Sequence, residues 1–255
     1  MSGVKKEKPL QRKQLNLPEN IRRLPEGETF HFGCHPGVPC FTECCRQLDL
    51  ALTPYDVLRL SKRLSLSGDG FLARYAVIEY AGGEAFPQVY LGMVDDGRAS
   101  CPFVSEKGCA VYEDRPGACR AYPLGRGSFV DCHGRQREMH VLLTEPHCHG
   151  FAEAAIHTSQ EWQTAQGLAD YNAMNDRLLV LLQNRRLKAG WRPDPAQSEL
   201  YLDSLYRLEK FKSQALAGQL PELEAITGEL PQEETDDQAF LLSAITWLHH
   251  VFFGR

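Results

Sequence analysis

Residues 30–47 read FHFGCHPGVPCFTECCRQ and bring Cys34, Cys40, Cys44 and Cys45 within a dozen positions. A buried cysteine is ordinarily a small hydrophobe among apolar neighbours. Here the neighbours are Gly33, His35, Pro36, Gly37 and Pro39. Such a loop packs poorly, yet it can wrap its backbone about a centre and aim several sulfurs inward. The stretch reads as a ligand loop, and the fold is expected to be organised around a metal.

Immediately downstream, LTPYDVLRLSKRL carries a helix start. Thr53 suits the N-cap, Pro54 the first helical position and Asp56 a capping box, with Val57, Leu60 and Leu64 on one face. Residues 67–75 predict a second, shorter helix packed through Phe71, Leu72 and Tyr75 and ended by Gly82 and Gly83. From Phe86 the period changes to two: Val89, Leu91 and Met93 alternate with Tyr90 and Gly92, and Asp95-Asp96-Gly97 predicts a hairpin turn whose return strand leads into Cys101. The pattern recurs at 128–132 and 138–143 around a His133-Gly134-Arg135 turn. Helices and short antiparallel strands together give an α+β fold in which a small sheet holds ligand loops in place.

Past Cys148 the character changes. All nine cysteines lie between positions 34 and 148, and none follows. Thr158 to Glu161 matches a capping box, and Trp162, Leu168, Tyr171, Met174, Leu178 and Leu182 continue as a long amphipathic helix. Leu205, Leu208, Phe211 and Ala215 mark another helix. Phe240, Ala244, Trp247 and Val251 mark a third, apolar nearly all round and therefore buried or at an interface, including one between two copies of the chain. The expected organisation is a basic, surface-laid arm over 1–26, a cysteine-cluster metal-binding module over 27–152, and a helical region over 153–255 that packs on the module.

Composition narrows the class. The 255-residue chain is 43% hydrophobic, enough for a packed core, and its net charge of −5 is spread over 28 basic and 33 acidic residues, so nothing calls for nucleic acid. A small-molecule or protein partner is the default. MSGVKKEKPLQRKQ is followed by no apolar run with a small-residue cleavage site, so a cytoplasmic protein is expected. No run of about 20 apolar residues is present to span a membrane. In a reducing compartment a dense cysteine pattern reads as metal binding or catalysis rather than disulfides, and an odd number of cysteines argues the same way.

The full pattern is C-x5-C-x3-C-C at Cys34 to Cys45, then Cys101, Cys109, Cys119, Cys132 and Cys148, each later cysteine within two residues of a turn former. It does not fit a simple zinc finger, which requires paired C-x2-4-C or H-x3-5-H spacings. A thiolate set spread over several loops suits an all-thiolate zinc site or an iron-sulfur cluster. Adjacent side chains at Cys44 and Cys45 diverge in strand or helix, so both reaching one tetrahedral ion would be strained. They would serve two metals, different irons of one cluster, or one would support the other.

The fragments CHPGVPCFTECCR, LTPYDVLRL, CPFV, GCAVYEDRPGACRAYP and EPHCHGF resemble the CxxCxxCC family, the YkgJ-type cysteine-cluster proteins described as zinc- or iron-chelating domains. The resemblance covers about residues 30–152. It implies a metal centre, zinc or an iron-sulfur cluster such as 4Fe-4S, with Cys34, Cys40, Cys44, Cys45, Cys101, Cys109, Cys119 and Cys148 as ligands. The first motif is stretched here relative to the family's C-x2-C-x2-C-C, and Cys132 matches no family position and reads as a free or supporting thiol. One branch with a similar pattern, the flagellin lysine-N-methylases, uses S-adenosylmethionine and is associated with an iron-sulfur cluster. It implies a protein-methyltransferase alternative, although no glycine-rich fingerprint follows a strand here.

Other candidates read more plainly. His35, His147 and His149 flank cysteines but are expected to be exposed loop histidines, since the thiols already supply enough ligands. Arg115 and Arg120 would offset thiolate charge, hold a carboxylate, or recognise an anionic substrate. Cys-His catalysis is disfavoured by the crowd of competing thiols. The terminal helix lacks the opposed basic face of a membrane-surface helix. A metal-binding protein is the leading expectation, beside the methyltransferase-like enzyme and a zinc-stapled protein-interaction module.

Overall fold

Thr53 begins a helix as its sequence predicts. Its hydroxyl accepts from the Asp56 backbone N–H, the Asp56 carboxylate accepts from the Thr53 N–H at 2.8 Å, and α1 (Pro54–Leu64) follows. A computed structural model describes residues 17–80, 83–131, 133–228 and 236–254. Ser67 caps α2 (Gly68–Tyr75) by accepting from the Gly70 N–H at 3.0 Å. This helix stops at Tyr75 rather than at the glycine pair expected to end it, because Ala76 is already extended and opens a strand.

Among the described residues nine short strands form small antiparallel sheets: β1 (Ile21–Leu24), β2 (Thr29–His31), β3 (Ala76–Glu79), β4 (Gln88–Leu91), β5 (Val104–Ser105), β6 (Gly108–Cys109), β7 (Leu124–Val130), β8 (Gln136–Leu143) and β9 (Ile156–Thr158). The fold is α+β. The hairpin expected around His133-Gly134-Arg135 is β7–β8, in register from Val130↔Gln136 to Leu124↔Leu142. β1 adds to the other edge of β8, with Ile21 opposite Leu143. Residues 21–24, expected within a loose basic arm, are thus a paired strand that buries Leu24. A strand of four residues carries too little alternation to stand out from a charged segment.

The hairpin expected around Asp95-Asp96-Gly97 is also revised. β4 pairs with β3, Ala76 opposite Leu91, and the Asp95-Asp96-Gly97 loop is closed only by an isolated Val94↔Ser100 bridge. Ser100 in its return segment also bridges to Arg46 of the cysteine loop. The period of two was real, but the partner lay elsewhere in the chain.

The helices are α3 (Gly117–Ala121), α4 (Ser159–Ala165), α5 (Ala169–Leu182), α6 (Arg185–Lys188), α7 (Pro195–Leu205), α8 (Leu208–Leu216), α9 (Leu223–Thr227) and α10 (Asp237–Phe253). The predicted capping box at Thr158 opens α4. The single long helix expected from there is two, broken at Gly167, whose φ of +62° no helix accommodates, and Leu182 ends exposed. The expected helix through Leu205 and Phe211 likewise divides at Tyr206, whose hydroxyl donates to the Leu52 carbonyl at 3.1 Å.

α10 lies in the middle of the helical layer against α5, α7, α8 and α9 and buries Phe240, Leu241, Ile245, Trp247, Leu248 and Phe252. Each such side chain contributes about 1.5–3 kcal/mol on burial. Of the two readings of its composition, the core reading describes its place in this chain. The same core takes in Tyr55, Leu60, Phe71, Val89, Phe103 and Val111 from the cysteine-bearing half. A second, smaller cluster joins Leu24, Phe30, Phe32, Leu124, Leu142 and Trp162. Cys101 and Cys109 pack against the first cluster and Cys148 against the second. Among the described residues no helix is long and apolar enough to cross a membrane.

Candidate metal centre

The loop at 33–47 holds its cysteines with little regular structure beyond a 3-10 turn at Glu43–Cys45. Its ends are fixed by other loops. Gly33 N–H donates to the Gly150 carbonyl at 3.0 Å, and His149 N–H donates to Cys40 Sγ at 3.1 Å, so the EPHCHG segment carrying Cys148 lies on Cys34 and Cys40. Gly150 permits this approach: a Cβ there would stand 2.6 Å from Phe32 Cε2 and 2.7 Å from the Gly33 carbonyl oxygen. At the other end Cys101 N–H donates to the Cys45 carbonyl at 2.8 Å, and Gln47 N–H to the Ala99 carbonyl at 2.9 Å. Cys109 faces Val104 across β5–β6, which turns it back toward Cys101.

Cys119 rides on α3, and α1 sets that helix in position. Asp56, fully buried, accepts from the Gly117 N–H at 2.7 Å with Oδ1 while Oδ2 serves Thr53. Burial pushes the Asp56 carboxyl up, against the pull of its donors and of Arg120. Arg59 adds a clamp on Asp114, Nη2 to Oδ1 at 2.6 Å. The sequence marked Asp56 only as a cap for its own helix; its second bond crosses sixty-one positions and has no local signature.

All eight described cysteines are free thiols, none in a disulfide. They act on one another electrically. Cys34 is pushed up to about 11 by burial, then by Cys44, Cys40 and Cys148. The hydrogen bond between the neighbouring sulfurs brings Cys44 down to about 7 and drives Cys45 up. Cys119 keeps solvent contact while protein crowds it on most sides; that crowding, then Cys101, Asp56, Cys109 and Cys44, pushes it up to about 12. Burial also raises Cys101 and Cys109, partly offset by the N–H groups of Phe103 and Val111. Cys132 lies outside the described residues.

Two arginines are buried beside these sulfurs. Arg120 donates to the carbonyls of Arg115, Gln166 and Glu113. Arg115 stacks over the Tyr112 ring at 3.8 Å and donates to the Tyr112 carbonyl and to Gln166 Oε1, both at 2.6 Å. Its hydrogen bonds end on neutral acceptors, while its charge acts on Cys34, Cys109 and Cys119. A buried guanidinium needs a negative counterpart, and thiolates supply one. Two further buried donor atoms lie by the sulfurs: Arg46 Nε, with no hydrogen-bond partner among the described residues, and Tyr122 Oη, which faces Cys148 and Glu145. Arg46 acts on Cys44, and Tyr122 on Cys148 and Glu145. Arg46 did not stand out in the sequence, because an unsatisfied donor is a property of packing.

His35, His147 and His149 are exposed on loops. His35 Nε2 lies 3.2 Å from Glu153 and His147 Nε2 lies 3.5 Å from Glu145, while His149 contributes its backbone N–H. Among the described residues no three Cys, His, Asp or Glu side chains stand in an arrangement that holds an ion. The donor chemistry nonetheless fits a soft cation: several thiols, amides aimed at sulfur, and the buried Arg115 guanidinium, whose hydrogen bonds end on neutral acceptors.

Residues 33–149 match the family model CxxCxxCC, described as a putative zinc- or iron-chelating domain, and all eight described cysteines fall inside that segment. The match supports metal binding as the property shared. No curated protein and no solved structure matches the chain.

Proposed function

We propose that the protein binds a soft metal through Cys34, Cys40, Cys44, Cys45, Cys101, Cys109, Cys119 and Cys148, as zinc or as an iron-sulfur cluster. The observation that carries this reading is Arg115: a buried guanidinium, hydrogen-bonded only to neutral oxygens, amid unpaired thiols from separate loops. A thiolate-bound centre is net negative and compensates that charge; the amides on Cys40 and Cys101 then tune the sulfurs. Metal binding to these thiols would be coupled to loss of their protons, as the thiolate is the ligand form. A reducing compartment, the cytosol, suits so many unpaired thiols.

The test is elemental analysis of anaerobically purified protein together with its absorption spectrum. Bound iron with broad visible absorption selects the cluster. Bound zinc in a colourless protein selects the tetrathiolate site, since the zinc d shell is full. Protein that carries neither, and takes up neither when supplied under reducing conditions, overturns the reading.

A further inference from the structure

We propose that the end of the molecule built from α6 and the C-terminal turns of α5 and α10 docks on an anionic lipid bilayer surface. The inference is independent of the metal-binding reading.

Four segments meet at this end. Gln183, which follows α5, accepts from the Val130 N–H at 3.2 Å and donates to the Ser128 carbonyl at 3.0 Å, tying the end of β7 to α5. Asn184 Nδ2 stands 3.3 Å from His249 Nε2, and Arg186 donates to the Phe252 carbonyl at 3.2 Å, which brings α6 against the end of α10. Trp191, just past α6, packs on Phe252 and Phe253 with ring centroids 6.0 and 5.1 Å away.

Cations collect there. Arg177, Arg185, Arg186, Lys188 and Arg192 are all exposed. Among the described residues none of the five is ion-paired with a carboxylate, and Arg186 and Arg192 donate to main-chain carbonyls. The carboxylates of neighbouring segments are engaged elsewhere: Asp176 by Arg126, Asp194 as the cap of α7, and Glu222 by His250. At the β7–β8 turn Arg135 and Arg137 share the one carboxylate of Asp131. A chain of net charge −5 thus carries a local positive surface.

Apolar groups share that surface. Phe129, Val130, Val180, Leu182 and Val251 belong to these same segments and are five of the eleven exposed large apolar side chains among the described residues. Exposed apolar groups beside cations and an indole fit the headgroup layer of an anionic bilayer. There the guanidinium and ammonium groups meet phosphate and carboxylate, and the aliphatic groups meet acyl chains. A nucleic acid would engage the cations through its phosphates and leave the valines and leucine against water. The sequence of α10 shows no basic face because the cations of this surface come from a different helix.

Full-length protein is sedimented with vesicles of phosphatidylcholine alone and of phosphatidylcholine with phosphatidylserine at about 2:1, where the serine lipid supplies the anionic charge. Binding to the mixed vesicles is expected, at least about tenfold stronger than to phosphatidylcholine alone, and lost at about 0.5 M sodium chloride. The double variant R185Q/K188Q should weaken it about 25-fold, roughly fivefold per cation. R63Q/R74Q removes the same charge from α1 and α2 and should bind as the wild type does. Equal binding to the two compositions, no binding to either, or R185Q/K188Q binding as tightly as the wild type overturns the proposal. Tighter binding of a double-stranded RNA oligomer or of polyglutamate than of the mixed vesicles assigns the surface to another polyanion and overturns the lipid reading. The wild-type comparison of lipids and salt decides the question even where a double variant does not fold.

Discussion

Asp56 Oδ1 accepts from the Gly117 N–H at 2.7 Å, and the same carboxylate caps α1 through Thr53, so one buried group sets the starts of two helices. Asp56→Asn would turn an amide N–H₂ toward donors at one of these contacts. Stability should fall by about 1–3 kcal/mol in a urea titration. Metal affinity should fall with it, because α3 carries Cys119. A variant as stable as the wild type would show that Asp56 does not fix α3.

Gly150→Ala tests the junction of the first cysteine loop with the Cys148 loop. The added Cβ would collide with Phe32 and the Gly33 carbonyl, both of them core or backbone and unable to swing away. The expected loss is about 1–3 kcal/mol, with weaker retention of metal against a competing chelator. Unchanged stability would mean that the two loops separate freely.

Arg115→Met keeps the aliphatic stem and removes the charge. Metal affinity should drop about 10–100-fold, measured by chelator competition, as for the loss of a supporting partner of a metal ligand. Arg115→Lys should recover part of that loss, since the charge returns without the fork that spans Tyr112 and Gln166. Equal affinity in all three proteins would remove the electrostatic role.

Removing the metal should lower the melting temperature by about 10 °C, the shift expected of a chain this size when a tightly held ligand is lost. The segment from Gly33 to Thr53 has one 3-10 turn of regular structure and few buried side chains, so a bound metal would add ordering contacts there. Differential scanning calorimetry with and without chelator reads the effect. An unchanged transition would refute a structural contribution.

The last prediction concerns pH. Burial works to raise the Asp237 carboxyl, but contacts with Lys212 at 2.7 Å and Lys62 at 2.6 Å prevail and hold it below the usual carboxylate range. Its folded value lies below its unfolded one, so its stabilisation is complete above pH ~4 and is lost as pH falls through the depressed value. Urea midpoints should therefore fall more steeply between neutral and acid pH for the wild type than for Asp237→Asn. Parallel curves would count against the linkage.

Local chemistry was legible in the chain. Thr53 with Asp56 and Thr158 with Glu161 announced two helix starts, because a capping box is completed within four residues. The cysteine loop announced a metal for a similar reason: Gly, Pro and Cys in close succession have few other uses. Long-range partners were not legible. The segment before Cys101 pairs with Arg46 rather than with β4, and the helix expected through Gly167 breaks there, placing Gln166 against Arg115 and Arg120.

The sequence by itself determined that this is an α+β protein with a thiol-rich loop and apolar terminal helix, since periodicity, caps and composition are properties of neighbours along the chain. Only the tertiary structure decided which segments the cysteine loops rest against and where the buried arginines lie. Those relations depend on how distant segments share one core, and the free energy of that packing is spread over contacts that no short window of residues contains.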